Sequence, residues 1–475
     1  MNLKKKVAVG FAVLGVKRVL VQVVFTTTNI FLARLLYPQD FGIYAILGFV
    51  STVFAAFSDL GLGQSLIQRK ERLESKDLQT VFSFQLLLSL GIILLINLLA
   101  PFVSGFYGLG DKGIHLIRIY SLFFLFSPFK TISWAVLERD LEYLKLVVIE
   151  LIEILVASLI TITLAFLGFG VFSFVLGAVL GHFVGSVSYF SFSHWRIRLG
   201  IDKSRLVRIA KFGLPLQSSV LSGVFYGPLV LLNLGKKVGA ENLGYFQFAA
   251  SLSVLPIAVS EIMNRIIFPL GARVQEEKEF FKKVIERSII IVSFTTLPTV
   301  FVMLVTARQI IRFIYTDKWL PALPALYFGI LQIGIVSFTA MFSQLLLSKG
   351  YSKTIGFMGL TWAILTWLLA PYLIGKYNFV GMSMTGFLVS LSGIWLFFRL
   401  KRVIIFSWWI NFWPFLISSI ACGLVTYIFV NSAKDNLISV LIGVMWGLIL
   451  YLCLVWFFAQ KVLVFTLKSL FSSKG

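Results

Sequence analysis

The chain has 475 residues, 59% of them hydrophobic and 13% charged, with a mean hydropathy of +0.94. An ordinary soluble domain is about 45–50% apolar and about 25% charged, so no soluble core could hide this much apolar surface. The 42 Lys and Arg residues outnumber 20 acidic ones, a net charge of +22 that in a soluble protein would suggest nucleic acid. In a membrane chain such residues orient helices toward the cytoplasm, so no nucleic-acid partner is expected.

Apolar runs of roughly 20 residues, enough to cross about 30 Å of hydrocarbon, recur along the whole chain. The first is predicted from about Val13 to Leu36; the polar turn Tyr37-Pro38-Gln39-Asp40 separates it from the second, about Phe41 to Leu66. Four more follow at about Thr80–Ser104, Ile114–Leu137, Leu146–Leu167 and Val171–Phe192. The second half offers Phe212–Leu234, Leu243–Phe268, Ser288–Thr306, Pro321–Ser348, Thr354–Ile374 and Phe379–Phe398. Two further spans, Trp408–Val430 and Leu437–Ala459, complete about fourteen transmembrane helices in an all-α integral membrane protein.

Lys4, Lys5 and Lys6 precede the first apolar run without a small-residue cleavage site after it, which reads as a retained first helix. With the N-terminus inside, 28 of the 42 basic residues fall in inner loops or at the termini and eight in outer loops, placing both ends in the cytoplasm. Cys422 and Cys453 sit in apolar runs without ligand-like spacing, and His115, His182 and His194 show no metal spacing. No metal and no cofactor is expected. Trp408, Trp409 and Trp413 cluster at one helix start and read as interfacial anchors.

An internal repeat appears when the first helix pair is laid on the seventh and eighth spans. Asp40-Phe41-Gly42-Ile43-Tyr44 aligns with Asn242-Leu243-Gly244-Tyr245-Phe246, a displacement of 202 residues that also carries Asp59 onto Glu261. The displacement covers an even number of helices, so the copies share an orientation and imply lobes related by an axis along the membrane normal. The corresponding division is 1–205 for helices 1–6, 206–402 for helices 7–12, and 403–475 for the last two helices and the tail.

The chain resembles the polysaccharide-transporter family, the oligosaccharide-lipid flippases of the multidrug/oligosaccharidyl-lipid/polysaccharide exporter superfamily. The most specific segments are Leu32-Ala33-Arg34-Leu35-Leu36-Tyr37-Pro38-Gln39-Asp40-Phe41-Gly42, Asp59-Leu60-Gly61-Leu62-Gly63 and Ile67-Gln68-Arg69-Lys70. Later segments are Leu137-Glu138-Arg139-Asp140-Leu141, Lys211-Phe212-Gly213-Leu214-Pro215, Arg265-Ile266-Ile267-Phe268-Pro269 and Trp319-Leu320-Pro321-Ala322. The resemblance implies two six-helix lobes around a central cavity, alternating access, and an undecaprenyl-diphosphate-linked sugar moved across the bacterial cytoplasmic membrane for O-antigen, capsule or exopolysaccharide synthesis. It implies a polysaccharide polymerase and other assembly proteins as partners beside membrane lipid, and makes the last two helices accessory. One departure stands out: relatives often carry an acidic residue midway along helix 7, where this chain has Leu229-Val230-Leu231.

A charged side chain at a helix centre costs roughly 2.5–3.5 kcal/mol on insertion scales, so it needs a partner, a wet cavity or reach to an interface. Arg18 and Arg265, in the cytoplasmic halves of helices 1 and 8, are candidates to receive a diphosphate, because a guanidinium fork binds phosphate oxygens bidentately. Lys17, Lys130, Gln22, Gln217 and Asn264 complete the candidate diphosphate and sugar set. Snorkelling competes as an explanation for Lys17, Lys130, Arg34 and Arg118, and inter-helix hydrogen bonding for the amides. Asp59 and Glu261 lie at matching depth and could pair with Arg18 and Arg265 as a cytoplasmic gate; a fixed ion pair, a helix cap or a local unwinding at Asp59-Leu60-Gly61-Leu62-Gly63 explains them as well. A membrane glycosyltransferase or polymerase usually displays acids or bases on a sizeable outer loop, whereas the longest outer loop here runs only from Ala307 to Leu320; the chain is not expected to be an enzyme. A cation-coupled exporter of small molecules on the same fold is the stronger rival, and the basic residues of helix 1 favour an anionic substrate over it.

Overall fold

The computed structural model describes the chain apart from residues 1–2, 70, 72, 194, 228–229, 231–234, 257–266, 433–435 and 472–475, and describes side chains from residue 15 to residue 460 with gaps between 212 and 226. It divides into two compact units, Met1–Gly244 and Tyr245–Gly475. Every regular element among the described residues is helical. In the first unit these are α1 (Leu3–Leu35), α2 (Pro38–Ser58), α3 (Leu62–Gln68), α4 (Ser75–Tyr107), α5 (Gly110–Ser121), α6 (Phe123–Arg139), α7 (Tyr143–Phe166), α8 (Val171–Phe192), α9 (Lys203–Tyr226) and the first turn of α10 (Ala240–Ser253). The second unit continues α10 and adds α11 (Lys278–Gln309), α12 (Leu323–Ser348), α13 (Ser352–Tyr377), α14 (Phe379–Ser392), α15 (Ile394–Val403), α16 (Trp408–Ser432) and α17 (Leu437–Phe471).

Twelve helices among the described residues are long and apolar enough to cross a membrane, and they coincide with the first six and last six expected spans. The seventh and eighth expected spans fall on α9 and α10, and both extend into residues outside the described set. The second span differs from expectation. Its apolar run continues to Leu66, but the helix stops at Ser58 because Leu60 and Gly61 take left-handed backbone angles, φ 47° and 70°, before α3 begins. A Cβ on Gly61 would stand 2.5 Å from the Gly213 carbonyl oxygen, so the left-handed turn and the close approach of α9 both require glycine there.

Small residues set the helix spacing elsewhere in the first unit. Gly177, Gly181 and Gly185 recur every fourth residue on α8 and let α7 approach until a Cβ would meet Thr161, Ala157 and Glu153 respectively. At the other end of α2, a Cβ on Gly42 would lie 1.6 Å from the Ala240 carbonyl oxygen, and one on Gly244 would lie 1.8 Å from that of Pro38. The 202-residue displacement relates Pro38 to Ala240 and Gly42 to Gly244. Each glycine therefore packs on the repeat equivalent of the residue that its own counterpart contacts. That reciprocity makes the contact self-complementary.

The loops between spans are held by charge. Asp77, fully buried, accepts from Arg205 at 2.8 Å and pairs with Arg69 at 2.7 Å, while its second oxygen caps the Glu74 amide at 3.0 Å. Arg139 donates to the Leu66 and Arg69 carbonyls, covering the open end of α3. Arg69, Arg139 and Arg205 thus staple the loops. In the second unit, α16 and α17 pack on α11, with the Tyr451 hydroxyl donating to the Phe294 carbonyl at 2.7 Å. Trp408 departs from its expected anchoring role: it is packed among Phe338, Phe342, Phe397 and Phe412, whereas Trp409 is exposed as an anchor requires.

Candidate functional site

The densest intramembrane charge among the described residues lies in the first unit, and α7 organises it. Glu150 and Glu153 are one helical turn apart and so share a face; Glu153 is the tenth residue after Tyr143, about 15 Å along a helix rising 1.5 Å per residue. That depth is the middle of the span. Lys130 of α6 donates to both Glu153 oxygens, at 2.7 and 2.8 Å, and sits 5.8 Å from the centre of the Tyr189 ring. His182 of α8 brings Nδ1 to 3.5 Å from the same carboxylate. One turn toward the α7 N-terminus, Lys17 of α1 forms an ion pair with Glu150, which lies 3.5 Å from the Tyr189 hydroxyl.

The carboxylate of Glu153 fits because Gly185 leaves it room: a Cβ there would be 2.4 Å from Oε2. Its side chain is 10% exposed, against 32% for Lys130 and 35% for His182, so the acid is the buried member and the two bases form its open edge. Losing one member of a buried pair typically costs about 3–5 kcal/mol, because the other charge is left uncompensated.

Of the residues singled out in the sequence, Lys17 and Lys130 are therefore already neutralised by carboxylates rather than reaching for an interface. Glu150 and Glu153 were missed, although two acids three residues apart inside Leu146–Leu167 were a legible sign that those lysines had partners. Arg18 is half-buried beside Lys17 on α1. Gln22 donates to Thr26 Oγ1 within its own helix at 3.3 Å. Gln217 is buried and donates to the Ala56 carbonyl, tying α9 to the last turn of α2. One turn on, Asp59 Oδ1 lies 3.5 Å from the Gly63 amide in the first turn of α3. Arg34 and Arg118 sit exposed in the last turns of α1 and α5. Arg265, Asn264 and Glu261 lie outside the described residues, so only the Asp59 half of the expected gate is described.

Residues 31–324 match the family model described as "Polysaccharide biosynthesis protein". Among curated proteins, the chain is 23% identical over 302 residues to the lipopolysaccharide biosynthesis protein WzxC of Escherichia coli (strain K12), covering 62% of this chain and 60% of that one. It is 23% identical over 279 residues to the teichuronic acid biosynthesis protein TuaB of Bacillus subtilis (strain 168), covering 58% and 57%. The succinoglycan biosynthesis transport protein ExoT of Rhizobium meliloti (strain 1021) is 23% identical over 351 residues, covering 72% and 69%. The chain thus spans somewhat under two thirds of the first two relatives. Among solved structures it superposes on the lipid II flippase MurJ, in an inward closed conformation, with a TM-score of 0.79 and 16% identity, covering 96% of this chain and all of that one. An inward-facing multidrug resistance MATE family transporter of the MOP superfamily gives a TM-score of 0.60 at 17% identity, covering 82% and 98%. These likenesses show a fold shared with that superfamily. With the model match extending over more than half of its length, the chain belongs to the polysaccharide biosynthesis protein family.

Proposed function

We propose that this chain is a flippase that carries undecaprenyl-diphosphate-linked oligosaccharide repeat units from the cytoplasmic to the outer leaflet of a bacterial cytoplasmic membrane by alternating access. The observation that carries the reading is family membership over residues 31–324, joined to relatives that serve the synthesis of several surface polysaccharides. Moving a diphosphate through hydrocarbon requires a polar path, since an unpaired charge in an apolar medium costs far more than folding can offset. Arg18, with Arg265 and Asn264 on the eighth span, is the proposed first contact for the diphosphate. Lys17 and Lys130 join only if the arriving phosphate displaces Glu150 and Glu153; Gln22 and Gln217 would offer amides to sugar. Asp59 and Glu261 are the proposed gate, both termini are proposed to be cytoplasmic, and a polysaccharide polymerase is the proposed next protein in the sequence.

The test is reconstitution of the full chain in liposomes carrying an undecaprenyl-diphosphate-linked oligosaccharide in one leaflet, with its appearance in the other read by an impermeant glycosidase. Protein-dependent movement, absent for a neutral glycolipid, is expected. Export of a cationic dye with no movement of the lipid-linked sugar would instead favour the small-molecule exporter that the MATE likeness keeps in view.

A further inference from the structure

A fixed ion pair between Lys130 and Glu153 would already satisfy both charges, since Nζ reaches both carboxylate oxygens. To that pair His182, itself hydrogen-bonded to the Ala178 backbone of its own helix, adds a titratable imidazole 3.5 Å from the same carboxylate. Histidine is the side chain whose ordinary pKa puts its charge change near neutrality. Ionisable groups at mid-span face a bundle interior or a wet cavity rather than lipid, and the one-third exposure of Lys130 and His182 leaves that edge open.

We propose that Lys130, Glu153 and His182 form a proton-binding site in the membrane, through which a pH gradient drives the transport cycle. One proton passes from water to the imidazole and the cluster goes from neutral to a charge of +1, with no bond broken elsewhere. Two cations then compete for one carboxylate. Because the three residues sit on α6, α7 and α8, the competition loosens Lys130 from Glu153 and changes how α6 is held against the α7–α8 pair.

The other groups around the site leave the imidazole as the member that changes. On α7, Glu150 is committed to Lys17 of α1; on α8, Tyr189 lies between the two acids. Glu138 lies two turns further along α6, beyond Lys130. From α4 comes the uncharged Gln85, which donates to Thr131 at 3.0 Å. Tyr120 of α5 and Tyr44 of α2 face one another with ring centres 5.9 Å apart, and Phe123 packs edge-on to the imidazole at 5.1 Å.

The coupling role rests on the flippase reading; the proton site does not, and the experiment separates them. The chain has three histidines, so histidine-labelled full-length protein in nanodiscs gives few resonances, and His182→Gln identifies the one of interest. Glu153→Gln is expected to lower the midpoint of that resonance and Lys130→Gln to raise it, each by about one unit, tenfold in proton affinity. Should one variant misfold, the other still carries the sign. A midpoint indifferent to both overturns the site. In liposomes, the ratio of flipping rates with and without an imposed pH gradient should exceed one for the natural protein and fall to one in His182→Gln; a ratio unchanged by that substitution overturns the coupling. Failure of the natural protein to flip any lipid-linked sugar would sink the flippase reading while the titration still decides the site.

Discussion

The reciprocal contact at the N-terminal ends of α2 and α10 is open to a direct test by adding one methyl group. Real Cβ atoms do not approach closer than 3.0 Å, so Gly42→Ala requires about 1.4 Å of separation from the Ala240 oxygen, and Gly244→Ala about 1.2 Å from the Pro38 oxygen. These shifts approach the 1.5 Å rise of one helical residue, and the obstructing atoms are backbone, which no rotamer change can move. Overpacking of this kind costs about 1–3 kcal/mol. The same substitution returns about 0.5–1 kcal/mol of helix propensity, leaving a net loss of about 1 kcal/mol, or about fivefold in the population of the closed contact. Gly48, in the same helix with no atom within 4 Å of its Cβ position, is the control: Gly48→Ala should show the propensity gain alone. Thermal unfolding of the three variants in one detergent is the assay. A melting temperature for Gly42→Ala at or above that of Gly48→Ala would refute the packing argument.

Four further outcomes are expected. Reporter fusions after Lys76 and Lys203 should report cytoplasm and a fusion after Lys318 the outside; a reversed pattern would undo the orientation. Arg18→Gln should slow flipping by roughly tenfold or more at unchanged protein level, in line with about 1.5–3 kcal/mol for a charged hydrogen bond; normal flipping would leave Arg18 with a structural role. Asp59→Asn keeps a side chain able to cap α3 and removes the charge, so the melting temperature should hold while flipping slows; Asp59→Ala should lower both, since losing a cap costs about 1 kcal/mol. Arg69 holds the Glu71 carboxyl below its usual range, and Ser204 and Arg205 do the same for Asp202. Carboxylates depressed in the folded state stabilise it above their unfolded pKa and lose that contribution as pH falls through the folded one, so these loops should become protease-sensitive below about pH 4.

Much of the architecture was legible because hydrocarbon thickness imposes its own ruler on sequence: among the described residues, twelve apolar runs became twelve membrane-length helices, with ends shifted by up to ten residues. The break after Ser58 was legible only as one of several readings of Asp59-Leu60-Gly61-Leu62-Gly63, a local unwinding, since hydropathy is blind to φ and the run from Phe41 to Leu66 stays apolar across it. The repeat was legible as paired glycines, but only coordinates reveal that the pair meets in three dimensions. The charged cluster was half legible. Lys17 and Lys130 stood out as isolated cations, while their acids sit on another helix; that α1 and α6 pack against α7 is a tertiary fact. Trp408 shows the same limit, since an aromatic at a helix start reads as an anchor until neighbours from α12 and α15 surround it.

The seam between Pro38–Gly42 and Ala240–Gly244 also has a consequence for biosynthesis. Its halves are 202 residues apart, and at roughly 5–20 residues per second the ribosome needs roughly 10–40 s to supply the second after the first. Throughout that interval the α2 start is already in the bilayer with its backbone groove uncovered. The glycines that close tightly in the finished protein present, during synthesis, a flat surface to which any passing helix with a small residue could adhere. The seam therefore closes only once the second half has been made.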